Sequence, residues 1–389
     1  MAGSQEDWLR TRAYLNAHRH ELTQSVVGLY PEQWRVAGTP MLAPPEWRPA
    51  APVPLDQVTL AWHADGPIAY GSGLDGTGPE TAAVRPLRAD GSQFACYADA
   101  MGALSRPRLF EDRTCYRILE AAAGPGATRL GFGEGRYFQM INTCEATAHE
   151  YAAAVLASDG SAAPPAAADL PLRSAIGDPA DLRRRPAMSA IGTLTLRADR
   201  AAGDAAMILH WRDPARVATG GGLYQVAPVG MFQPSHDAEW NLANDFSLWR
   251  AIVREMAEEL LGGGEDYHSD AAPIDYERWP LQATLAAARR AGTLRLYWLG
   301  LGLDPLTLVV DMLSVAVFDA PVFDAVFAGL VHANDEGHMV ASQDETGATT
   351  GLPFTAAAVE RFTTDEPMQS AGAALLRTAW EHRDALLAH

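Results

Sequence analysis

Asn244-Asp245-Phe246-Ser247-Leu248-Trp249-Arg250-Ala251-Ile252-Val253-Arg254-Glu255-Met256-Ala257-Glu258-Glu259 is the stretch on which the fold turns. At helical spacing Trp249, Ile252, Val253, Met256 and Leu260 fall on one stripe, while Glu255, Glu258 and Glu259 gather on the opposite side. The spacing predicts a helix that is oily toward a core and acidic toward a site. Like charges so placed repel by roughly 0.2–0.5 kcal/mol per pair in water, and by more where shielded, so three kept together point to a cation among them. An oxygen-only ligand set selects Mg²⁺ or Mn²⁺.

The hexapeptide Arg254-Glu255-Met256-Ala257-Glu258-Glu259 resembles the helical half of the Nudix box, the signature of hydrolases that cut diphosphates attached to a nucleoside. The rest of the box departs from the pattern. The family has a glycine where Trp240 stands and a glutamate where Phe246 stands, with Asp245 one place off that glutamate. The nearest loop glycine is Gly230, in Val229-Gly230-Met231-Phe232-Gln233-Pro234, which looks like the strand-to-loop approach of the box followed by an insertion. The glycine after the acids is displaced to Gly262.

That resemblance implies an α+β chain whose C-terminal half is a Nudix-like α/β/α sandwich with a mixed sheet, beside a mixed α/β N-terminal domain. It implies that Glu255, Glu258 and Glu259 hold Mg²⁺ or Mn²⁺, with the Gly230 carbonyl as a further ligand. Arg254 would orient a glutamate through a charge-assisted pair, and either Glu255 or Glu259 would act as general base. Phe232 and Gln233 beside the glycine, and the Trp211-Arg212 pair, are the candidate substrate contacts, aromatic and basic groups being suited to stacking on a base. The runs Leu29-Tyr30-Pro31, Arg35-Val36-Ala37-Gly38-Thr39 and Gly230-Met231-Phe232-Gln233-Pro234-Ser235 also resemble a group of actinobacterial proteins that includes regulators with a Nudix-like body.

Composition narrows the chemistry. A chain of 389 residues, 48% of them apolar, can bury two domains or one core with a large companion. The formal charge of −18 gives no footing for nucleic acid, and the one basic run, Arg183-Arg184-Arg185, is short. All 30 basic residues are arginine. Lysine chemistry is therefore excluded: no Schiff base, no P-loop lysine and no kinase-type lysine. Phosphate contacts must come from Arg, backbone N–H groups or metal.

Three cysteines, Cys96, Cys115 and Cys144, lack CxxC spacing and are expected as thiols in a reducing cytoplasm. The first residues show no basic flank followed by an apolar run, so no export signal is expected. The longest apolar stretch, Leu306 to Phe318, is interrupted by Asp311 and too short for a bilayer; it reads as a buried strand pair.

Along the chain, helical periodicity covers Glu6–Leu29, Ser92–Leu104, Asp112–Ala123 and Glu145–Ala157. Gln57–His63 and Leu130–Ile141 read as extended, and Gly131-Phe132-Gly133-Glu134-Gly135 as a β-turn. The domains are expected at 1–158 and 189–389, with 159–188, rich in Ala, Pro, Asp and Arg, as a linker. In the second half, strands are expected at Ile191–Arg197, Ala206–Trp211, Gly221–Phe232, Arg295–Leu301 and Thr307–Phe318. Cys144, Glu145 and His149 form a potential metal trio that ordinary packing also explains. Asp335, Glu336, Asp344 and Glu345 are late loop acids of the kind Nudix enzymes sometimes add to the site.

The Nudix resemblance implies one of two functions. One is a Mg²⁺-dependent pyrophosphohydrolase of specialised metabolism, acting on a dinucleotide such as NAD or an NAD-derived metabolite to give mononucleotides. The other is a Nudix-fold sensor that binds a nucleotide without cutting it. A homodimer is expected in either case, with neither nucleic acid nor membrane as partner.

Overall fold

The computed structural model describes residues 2–64, 74–107, 110–124, 127–158, 165–212, 221–264, 266–330, 337–340, 342–343 and 349–388. Its strands are β1 (Val53–Pro54), β2 (Val58–Trp62), β3 (Thr114–Gly124), β4 (Ala127–Arg136), β5 (Ser189–Asp199), β6 (Asp204–Met207), β7 (Leu209–Arg212), β8 (Tyr224–Val226), β9 (Val229–Met231), β10 (Leu294–Leu303), β11 (Val310–Asp319), β12 (Gly337–Val340), β13 (Ser342–Gln343) and β14 (Thr349–Pro353). The α-helices are α1 (Ala2–Ala17), α2 (Arg19–Val26), α3 (Tyr97–Leu104), α4 (Tyr137–Met140), α5 (Ala146–Ala157), α6 (Pro171–Ile176), α7 (Glu239–Asn244), α8 (Leu248–Glu255), α9 (Pro280–Arg290), α10 (Ala320–Val326), α11 (Ala356–Glu360), α12 (Ser370–Glu381) and α13 (Arg383–Leu387).

The architecture is mixed α/β. The largest sheet runs β1-β10-β11-β5-β6-β14-β13, with β9 also paired to β5. It is a mixed sheet: β5 and β11 are parallel and their other neighbours antiparallel. Smaller sheets run β12-β7-β8 and β2-β4-β3. β10 and β11 read as nearly unbroken apolar runs because both their faces are covered. Alternation along β5 sorts the layers. A side chain at Gly192 would meet Leu375 of α12, whereas one at Gly230, registered with the neighbouring Ile191, would meet Glu255 of α8. The helices α8 and α12 therefore cover opposite faces of β5 and β9.

One hydrophobic core joins the halves of the chain: Tyr116, Ile118, Leu130 and Phe132 cluster with Leu194, Phe232, Ile252, Leu301, Val315 and Leu375. β1, from the first half, completes the edge of the large sheet against β10. Residues 165–188, expected as a linker, carry α6 and bury Leu170, Leu172, Ile176, Leu182, Arg185 and Met188.

Several expectations are corrected here. Asp112–Ala123 is not helical: Thr114–Gly124 is β3, paired along its length with β4, and that ladder overrides the helix preference of its three alanines. The Gly131–Gly135 run is the interior of β4 rather than a turn, and a Cβ at Gly131 would lie 2.5 Å from the Glu120 side chain. Leu306–Phe318 supplies a single strand, since Asp304 binds the N–H groups of Leu306 and Thr307 in a turn before β11. Helix α3 begins only at Tyr97. Gly221–Phe232 is two strands, β8 and β9, broken around Pro228. Among the described residues no helix is long and apolar enough to cross a membrane.

Candidate functional site

The acidic helix forms from Leu248 onward, whereas Asp245–Ser247, expected within it, form a break after α7. Ser247 caps α8 by accepting the Arg250 N–H, and Leu248, Ala251, Ile252 and Val253 are buried. After Glu255 the helix widens into a π-turn over Met256–Leu260. A wider turn changes which positions share a face. Glu255 and Glu258 stay half-buried, but Glu259 rotates inward to 6% exposure, so the three acids do not share one open face.

Each carboxylate has a distinct setting. Glu255 lies against Gly230, where an added Cβ would sit 2.0 Å from its carboxyl carbon. Glu259 accepts the Val229 N–H through Oε1 at 3.1 Å, and Glu258 accepts the Tyr267 hydroxyl at 2.6 Å. Two acids thus converge on β9, on adjacent residues, across the insertion that separates that strand from the helix in sequence. Gly230 faces Ile191 in the ladder, and the flanking bonds, Phe232 N–H to Ser189 O and Thr193 N–H to Pro228 O, put this pair at a hydrogen-bonding position. One lone pair of its carbonyl is therefore directed at β5 and one remains.

Arg254 is a structural clamp. Its guanidinium, 3% exposed, donates to the Gln233 carbonyl at 2.6 Å and the Tyr276 hydroxyl at 2.7 Å, and pairs with Asp245 at 3.5 Å. Burial opposes its charge, yet Tyr276 and Asp245 hold its pKa above the ordinary arginine value. Asp245 is fully buried and accepts the Tyr276 hydroxyl at 2.8 Å and both the N–H and hydroxyl of Ser235 at 2.7 Å. A carboxylate one residue before the family's glutamate position thus steadies the arginine. Phe246, at that position, joins Trp62, Tyr116, Phe132 and Phe232 in an aromatic cluster.

The candidate substrate contacts do not assemble around the acids. Phe232 is fully buried in that aromatic cluster, which removes it from any ligand. Gln233 holds Arg254 through its carbonyl and meets the Cys115 thiol through its side chain. Trp211 stacks on His338 in the sheet of β7 and β12, with ring centroids 6.2 Å apart. Arg212 lines a cavity of ≈270 Å³ between the two halves of the chain. Gly230 also borders that cavity, but Glu255, Glu258 and Glu259 do not.

Cys144, Glu145 and His149 prove to be packing and ion pairing. Glu145 takes Arg12 at 2.5 Å and Arg19 at 3.1 Å. Burial alone would raise its pKa, and the two guanidiniums bring it down to about 2. His149 stacks on Trp8 and bonds Tyr97, its pKa pushed down to about 3 by burial and by Arg12. Among the described residues no three His, Cys, Asp or Glu side chains form a group ready to hold a metal ion. The donor chemistry around β9 nonetheless suits Mg²⁺, which keeps several waters and needs only one or two carboxylates beside substrate phosphates. Asp335, Glu336, Asp344 and Glu345 lie outside the described residues.

Tyr267 stood out in the sequence only as an aromatic beside His268, suited to stacking on a base, and nothing there marked Tyr267, Tyr276 or Ser235 as partners of the helix, which they reach from the connections on either side of it. Asp245 was marked, as the acid displaced by one place. No protein-family model matches the chain, and no curated protein matches it.

Proposed function

We propose that this chain is a Nudix-like pyrophosphohydrolase that uses Mg²⁺ or Mn²⁺ to cleave a nucleoside diphosphate-linked substrate, foremost a dinucleotide such as NAD or an NAD-derived metabolite, into mononucleotides. The observation that carries the reading is the return of the helix acids to the glycine strand: Glu255 against Gly230 and Glu259 on the Val229 N–H. An insertion of unrelated sequence would have no reason to restore that proximity.

Glu255 and Glu259, with Glu258 beside them, would hold the cation. A bound divalent ion supplies neutralisation of the charge that builds on the phosphoryl oxygens. Glu255 is half-buried and Glu259 almost fully buried, so water reaches Glu255 more readily and Glu255 is the better placed general base. Arg254 acts through position: with Asp245 and the Gln233 carbonyl it fixes α8 against the loop after β9. The first half of the chain walls that loop, with Arg113 donating to the Ser235 carbonyl and the Thr114 N–H to Asp237. Such a wall suits a substrate longer than a nucleoside triphosphate.

A second reading, a sensor that binds a nucleotide uncut, is favoured by the Tyr267 hydroxyl that occupies Glu258 and by Phe246 in place of the box glutamate. One assay separates the two. NAD and related dinucleotides are incubated with Mg²⁺ or Mn²⁺ and the products weighed by mass spectrometry. Two mononucleotides, lost in Glu255→Gln and Glu259→Gln proteins that melt like the parent, support hydrolysis. Tight binding without product supports the sensor, and release of a single phosphate refutes the proposed cleavage.

A further inference from the structure

The ≈270 Å³ cavity lies apart from the helix acids and is built for a charged guest. Its floor is one row across the large sheet, Asp311, Ala190 and Met231, whose register turns their side chains to the same face. Ala190, with its small side chain, borders the cavity beside Asp311. Asp311 is 7% exposed and, among the described residues, nothing hydrogen-bonds its carboxyl. A buried acid in that condition is costly without a partner. Beside it, Asp304 is saturated: it accepts the N–H groups of Leu306 and Thr307 and the hydroxyls of Thr307 and Ser370. Burial and the Asp304 charge hold the Asp311 carboxyl well above the usual carboxylate range.

The wall contributed by α2 and the π-turn before α5 has the opposite sign. Arg19 and Glu145 line it, and Arg12 also binds Glu145, so two guanidiniums meet one carboxylate. His149, held neutral, adds no charge there. The lining also includes the apolar side chains of Met140, Met231, Val309 and Met368.

We propose that this cavity binds a small zwitterion of the amino-acid type, its ammonium on Asp311 and its anionic end toward Arg19, with a short aliphatic body between. A bare metal ion would leave the apolar lining and the arginine pole unused. The site is independent of diphosphate chemistry, since none of the three helix glutamates reaches it.

The test is calorimetric titration of the full chain with 5-aminopentanoate, beside pentylamine, which lacks the carboxylate, and 5-hydroxypentanoate, which lacks the ammonium. The zwitterion should bind at least tenfold more tightly than either half-analogue. Asp311→Asn, close to isosteric, should remove that advantage, and Ala190→Leu, which fills the floor, should abolish binding, both with the circular dichroism of the parent. Equal affinity for all three probes, an unchanged Asp311→Asn protein, or no heat up to about 10 mM zwitterion, beyond the ~1 mM range of weak specific binding, would overturn the assignment.

Discussion

Asp245→Ala is the sharpest test of the clamp on the acidic helix. The substitution leaves the Arg254 guanidinium, 3% exposed, without its counter-ion, and takes the acceptor from the Tyr276 hydroxyl and from both donors of Ser235. Removing one partner of a buried ion pair costs roughly 3–5 kcal/mol, and each lost hydrogen bond adds about 1 kcal/mol where water cannot replace it. Against a total stability of about 5–15 kcal/mol, such a loss brings the protein close to unfolding at room temperature. Urea titration followed by circular dichroism measures it. Most of the cost arises from the stranded charge, so Arg254→Met in the Asp245→Ala background should recover about 2–3 kcal/mol as a coupling between neighbours. An Asp245→Ala protein within about 1 kcal/mol of the parent, or a double variant no more stable than the single, would refute the clamp.

Gly230→Ala should displace the Glu255 carboxylate, since its Cβ would stand 2.0 Å from the carboxyl carbon. Glu255 can swing aside, so the melting temperature should change little while Mn²⁺ affinity, read by electron paramagnetic resonance, falls at least tenfold; unchanged affinity removes the metal from this strand. Acid should weaken the fold in two steps. His149 has a folded pKa of about 3, below its unfolded value of about 6.5, so stability is lost as pH falls between them, at up to about 1.4 kcal/mol per pH unit. Glu145, brought down to about 2, adds a second loss below about pH 4.5. His149→Gln should flatten the stability curve between about pH 6.5 and 4.5, and an unaltered slope there would contradict the assignment. Phe246→Glu, which places there the glutamate of the Nudix box, should destabilise by about 2 kcal/mol or more, because it trades aromatic packing for a carboxylate among rings. Denaturation at or above the parent midpoint would show that the aromatic cluster is dispensable.

Much of the helical and strand content was legible because it rests on local periodicity. The stripe from Ile252 to Leu260 is buried as its spacing required, and β2, β5, β10 and α5 form where alternation or helical period marked them. What failed depended on distant partners. β3 carries Ala121-Ala122-Ala123, a helix-favouring run, and becomes a strand because β4 is there to pair with it. Residues 165–188 have no period, yet buried contacts from both halves fix them. At the site, the acids could be named from the hexapeptide, but their directions could not, because the π-turn that rotates Glu259 inward leaves no mark in a count at helical spacing. Phe232 and Gln233 looked available as loop residues, and the fold uses one as core and the other as the anchor of Arg254.

The sheet's connectivity also governs how the chain can be made. β5 finds its parallel partner only when β11 emerges, and Val53 waits for Trp298. Long-range pairing of this kind slows folding. During synthesis β1 and one edge of β5 must stand unpaired until β10 and β11 emerge, exposing edges that invite association between nascent chains. Yield of native protein should therefore respond to temperature and chaperone supply more than to any single stabilising substitution.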